Sequence, residues 1–149
     1  MARLIADLPK LKAAIDTNDP PTVKDIAQGY QSQLNARLVL VTNRQGELLY
    51  TVGGSPRAAA IAAHQPAVRE ALSGRDALSL LPQPNGILQM VTVPVDAVTR
   101  DRPHREMLGT FGVAFLLDDA FLAELKRITG SDVAFGMSSV VSFVLNVAR

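Results

Sequence analysis

Few side chains in this chain can do chemistry, and they are dispersed. There is no cysteine, which removes disulfides, thiol nucleophiles, iron–sulfur clusters and thiolate-bound zinc together. Two histidines cannot supply an all-histidine metal site. The turn Asn43-Arg44-Gln45-Gly46 has neither the G-x-G-x-x-G nor the G-K-[ST] character of a phosphate loop, and no serine sits in a G-x-S-x-G context. No nucleophile stands beside a base, so the sequence points to no catalytic residue, no metal and no cofactor. What remains is recognition chemistry. His64, just before Pro66, can meet a ligand carboxylate or titrate near neutral pH. Arg69 and Arg75 border the same segment, and an arginine fork is a natural holder for a small carboxylate. Gln89, Thr92 and Thr110 lie on strand-like runs, where a polar group needs a partner once it is buried. Together these six residues form the candidate ligand-binding set. Each also has an ordinary reading as a surface histidine, a solvated arginine or an exposed amide.

Two charged features read as structural. Residues 96–106 (DAVTRDRPHRE) set Arg100, Arg102 and Arg105 against Asp96, Asp101 and Glu106, and read as a solvated loop or a lid over a pocket mouth. Asp118 and Asp119 open a helical pattern and suit its positive end better than a metal.

The elements that must position these residues follow from periodicity. Leu4, Ile5, Leu8, Leu11 and Ile15 share one helical face, with a kink or a fresh start at Pro9. Asn18-Asp19-Pro20-Pro21 breaks the pattern, and Thr22-x-x-Asp25 reads as the capping box of a second helix that ends near Asn35. The period then becomes two. LVLVT (38–42) and ELLYTV (47–52) predict a hairpin. Ser55 and Pro56 open a helical linker over 57–72 that is split by Pro66. Strands are predicted at 77–81, 87–95 and 107–117, with Pro94 marking an edge or a bulge. In the last of these, Leu108, Thr110, Gly112, Ala114 and Leu116 share a face that is small in the middle and admits a ligand or a helix. In the 87–95 strand, Gln89 lies with Ile87, Val91 and Val93, and Thr92 with Leu88 and Met90. A helix burying Phe121, Leu122, Leu125 and Ile128 follows, and a last hairpin pairs 132–135 with 140–147 across 136–139.

The whole length fits one α+β domain over 1–149, with N-terminal helices in 2–35 and the sheet and linker helices in 38–147. Hydrophobic residues make up 48% and charged residues 19%, which argues against wholesale disorder. A net charge of +1, without interleaved aromatics, gives no nucleic-acid patch. The longest apolar runs, 108–117 and 140–148, are too short to span a membrane, and the N-terminus has no signal-peptide core. The chain reads as cytosolic, or as a soluble piece of a longer protein.

The runs LVLVTNRQGELLYTVGG, ALSGRDALSLLPQPNGILQMVTVPV and LGTFGVAFLLDDAFLAELKRITGSDVAF resemble Cache-type (PAS-like) extracytoplasmic sensor domains of bacterial receptors, most closely those of membrane histidine kinases. The resemblance covers roughly residues 1–136. It implies a central antiparallel sheet of five or six strands, a long N-terminal helix and flanking helices. It also implies a pocket between sheet and linker, a periplasmic location, and membrane spans that lie outside this chain. The function implied is detection of a small molecule, an organic acid being the candidate from the arginines, by a shift between two arrangements. A homodimer contact through the apolar stripe of the N-terminal helix goes with it. The aromatic–arginine box of amino-acid-binding relatives is not visible, since there is no Trp and only Tyr30 and Tyr50. The tail 138–149 is less family-like. The alternative is a cytosolic roadblock- or GAF-like interaction domain.

Overall fold

In a computed structural model of the chain, the structure describes residues 2–57, 60, 66–99, 102–130, 132–137 and 143–148. Proline sets the start of the N-terminal helices. α1 (Ala2–Ala6) stops before Leu8, whose extended backbone caps α2 (Pro9–Asp16). α3 (Pro20–Leu34) begins with two prolines, which lose nothing at positions whose N–H groups have no helical partner. This moves the helix start ahead of the expected Thr22 cap. Asp19 is the N-cap residue, and the Thr22 hydroxyl donates to its carboxylate at 2.6 Å. Asn35 ends the helix in the left-handed region. The single long N-terminal helix implied by the resemblance is thus three helices, the longest of 15 residues.

The main sheet has five strands: β1 (Leu38–Asn43), β2 (Leu48–Gly53), β3 (Ala77–Gln83), β4 (Gly86–Thr99) and β5 (Arg102–Leu117). Their order is β2-β1-β5-β4-β3, and every neighbouring pair is antiparallel. Alternation divides the core in two. On one face Val39, Val41, Val93, Val95, Phe111 and Val113 are buried against Ile5, Leu11, Ile15, Val23 and Ile26 of the three helices. On the other, Leu38, Leu40, Leu81, Leu88, Met90 and Ala114 cluster with Val68 of α4 (Pro66–Leu72). The expected helix start at the linker is present, since Pro56 and Arg57 are helical.

Three expectations are corrected. Residues 96–106 are not a loop: their described part continues β4 and β5, with Asp96 opposite Met107 and Ala97 opposite Glu106. The antiparallel ladder carries the extension, and exposed ion pairs flank it: Arg105 meets Asp96 at 3.4 Å, and Arg44 reaches both Glu106 and Asp16 at 3.2 Å. A bulge opposite Val95 and Asp96 leaves Leu108 as the extra residue of β5, and it joins the helix-side core. Pro94 sits where β4 has run past the end of β3, a local edge that needs no N–H donor. Second, α5 (Asp119–Thr129) is capped as expected, with the Phe121 N–H donating to Asp118 at 2.9 Å, but it buries no residue. Phe121 is 42% and Ile128 66% exposed. Third, β6 (Asp132–Met137) runs through the expected turn and pairs with β7 (Phe143–Ala148) as a separate two-stranded ribbon, so the main sheet keeps five strands.

At Gly109 the backbone of β5 lies tight against that of β1. A Cβ there would enter the van der Waals envelope of the Thr42 carbonyl oxygen and press on Ile15. Gly109→Ala is expected to lower the unfolding free energy by about 3 kcal/mol in urea titration, because backbone cannot yield as a side chain can.

Candidate functional site

Among the described residues the buried polar side chains are three threonines: Thr42, Thr92 and Thr110. They come from three neighbouring strands and share the face covered by α4. Thr42 continues the Leu38 and Leu40 row of β1, Thr110 lies opposite it on β5, and Thr92 on β4 lies opposite Gly112, two residues further along β5. The Thr42 and Thr110 hydroxyls are hydrogen-bonded at 2.7 Å, either one donating. Among the described residues, the buried Thr92 hydroxyl has no hydrogen-bond partner. Such a group forfeits its bond to water, at a cost of about 1–3 kcal/mol. Gly112 leaves a notch beside it: a Cβ at that position would stand 3.5 Å from both the Thr92 hydroxyl and Leu40. Around this patch the surface is apolar, built from Leu40, Leu88, Met90 and Ala114. Such an arrangement can orient a hydrogen-bonding group against an apolar wall.

The six residues singled out in the sequence scatter. Thr92 and Thr110 come together as above, with Thr42 the member that sequence reading missed. Gln89 is half-buried on the opposite face and lines an open cleft of about 590 Å³ with Gln31, Arg37, Phe115, Asp118 and Phe121. Arg69 is exposed on α4, whose buried side is Ala67, Val68 and Ala71. Arg75 is exposed and pairs with Glu70 at 3.4 Å. His64 lies outside the described residues. On α5 the Arg127 guanidinium grips Glu124 with two hydrogen bonds, of 2.8 and 2.6 Å, which hold the carboxyl below its ordinary range and the guanidinium above its own. Both groups are solvated and far along the chain from the threonines.

No protein-family model matches the sequence, and no curated protein matches it. Solved structures do. The sensor domain of Escherichia coli DcuS superposes with a TM-score of 0.57 at 16% identity, over 87% of this chain and 86% of that one. The periplasmic domain of Vibrio cholerae LuxQ gives 0.54 at 15% identity, over 89% of this chain and 62% of its own. The sensory domain of the Campylobacter jejuni chemoreceptor Tlp3 gives 0.50 at 16% identity, over 85% of this chain and 51% of its own. At such identity the likeness is one of fold. The chain therefore has the α+β, PAS-like fold of Cache-type sensor domains, as the sequence resemblance implied.

The Thr42–Thr110 bond makes a measurable coupling. Thr42→Val or Thr110→Val alone strands a buried hydroxyl and should cost about 1–2 kcal/mol. The double variant should cost less than the sum by about 1 kcal/mol, read from a double-mutant cycle in urea. Additive losses would mean that the two hydroxyls do not support each other.

Proposed function

We propose that this chain is the extracytoplasmic ligand-binding domain of a bacterial signal-transduction receptor, of the sensor histidine kinase kind, and that it recognises a small molecule without transforming it. One observation carries the reading. In a fold shared with receptor sensor domains, the buried hydroxyls gather on the sheet face beneath α4, and one of them has no partner among the described residues. Location on the outer side of the inner membrane, and attachment through spans beyond this chain, belong to the same proposal. Among the described residues no helix is long and apolar enough to cross a membrane.

Signalling would be a population shift. A ligand under α4 favours one placement of that helix. The loop after α4 ends at Asp76, which pairs with Arg3 of α1 at 2.8 Å, so a displaced α4 pulls on the N-terminal helices. Both partners of that pair are partly solvated, and the pair serves as a link more than as a source of stability. Moving the balance from 1:99 to 99:1 needs about 5.5 kcal/mol of preference for one state. A second copy is the proposed neighbour of α1 and α3. Leu4 is 71% exposed beside an apolar groove of about 340 Å³ formed by Ile5, Leu8, Tyr30 and Leu34. A knob and a hole on one patch suit a two-fold contact.

An organic acid gripped by Arg69 or Arg75 draws no support from the geometry, since both guanidinium groups stand in solvent while hydroxyls face inward. The test is a thermal-shift screen of organic acids, amino acids, nucleotides and uncharged metabolites. A true ligand at 100 times its Kd adds about 2.7 kcal/mol, or roughly 5–10 °C in Tm for a domain of this size. A flat response across every class contradicts the reading.

A further inference from the structure

We infer that the group recognised at this face is an uncharged hydrogen-bonding oxygen, a hydroxyl or carbonyl on an otherwise apolar small molecule, seated in the notch over Gly112 between Thr92 and the Thr42–Thr110 pair. This rests on the ligand-binding reading above and narrows it.

Proton counting gives the first reason. Three threonine hydroxyls bring three O–H donors. One is spent between Thr42 and Thr110. Whichever of that pair accepts keeps its own O–H, and Thr92 has its own unspent. With Thr42 donating, the unspent donors are those of Thr110 and Thr92, on the adjacent strands β5 and β4 and on the same face of the sheet. They match the two lone pairs of one carbonyl or hydroxyl oxygen.

Charge gives the second. A carboxylate brought here would surrender its hydration, and burying it without a cation costs far more than burying a neutral oxygen. Of the ionised groups near the described part of this face, Asp96 and Arg105 spend their charge on each other at 3.4 Å, and Arg37 stands at the other end of β1, beside Leu88 and Leu116, away from the Thr42–Thr110 pair. Space gives the third. Gly112 occurs in the middle of a strand, where glycine weakens the sheet, and its missing side chain opens room for one small group beside the orphan hydroxyl.

Two variants test this in the intact chain. Thr92→Val keeps the shape and removes the hydroxyl. If that hydroxyl is stranded in the unliganded protein, the variant gains about 2–4 °C in Tm; a loss of Tm means that the hydroxyl already has a partner, and overturns the inference. Gly112→Ala puts a methyl at ordinary contact distance from its neighbours, so it folds and fills the notch. Cyclohexanol, 2-hexanone and γ-butyrolactone are then compared with butyrate and succinate by thermal shift. The expected result is a rise in Tm with at least one neutral probe and none with the carboxylates. That rise should need roughly tenfold more probe in Thr92→Val, and should vanish in Gly112→Ala. No response to any neutral probe, or a neutral response that survives both variants, overturns the inference. A response to carboxylates alone overturns it and leaves the sensor reading standing, whereas silence throughout this set and the wider screen removes both.

Discussion

Water competes for every hydroxyl in a protein, so burying one is free of penalty only where another group takes water's place. The sheet of this domain meets that constraint differently on its two faces. Toward α1, α2 and α3 it presents valines and Phe111, which need nothing but contact, and the helices supply it. Toward α4 it presents three threonines within an apolar field. Two of these satisfy each other, and the third has no partner among the described residues. The first face holds the fold together. The second carries a hydroxyl with no partner among the described residues, and the proposed ligand site lies there.

Geometry around that hydroxyl is set by backbone more than by side chains. The β1–β5 register sets Thr42 opposite Thr110, and Gly112 leaves room for about one methyl group beside Thr92. A fold built on a wide antiparallel sheet can hold such a patch firmly, since each strand is pinned by its neighbours. α4 is a short helix that reaches the sheet through Val68 and Leu72. Ala67 and Ala71 are buried with Val68. In the proposed switch this helix is the element that shifts, and the Arg3–Asp76 pair links it to α1.

Much of this was legible in the sequence. The apolar, β-branched runs located all five strands of the main sheet, short of the full reach of β4 and β5, glycines and prolines located the turns, and Asp118 announced the cap of α5. Thr92 and Thr110 were marked because each lies on an otherwise apolar row. Thr42 was missed although the same row logic applies to LVLVTN, because its importance depends on Thr110, 68 residues away, and pairing at that distance leaves no local trace. The charged stretch 96–106 reads as a loop for a related reason: its place in the sheet depends on the β4–β5 pairing and on cross-strand partners such as Arg44, which composition alone cannot reveal. Arg69 and Arg75 were attractive by chemistry, yet the helical phase of α4 turns its small residues to the sheet and leaves Arg69 in water. Phe121 and Ile128 had the spacing of a buried face, but nothing in the described structure covers them fully.

The likeness to sensor domains at 15 and 16% identity speaks for the scaffold, while the threonine patch speaks for this particular chain. The most direct test of the central claim is an NMR titration of the chain labelled at its threonine and methionine methyl groups, with any compound that stabilises it. Enclosure against the α4 face predicts shifts centred on Thr42, Thr92, Thr110 and Met90. Shifts confined to residues of the open cleft near Gln89 and Phe121, with the buried threonine methyls unmoved, would contradict it.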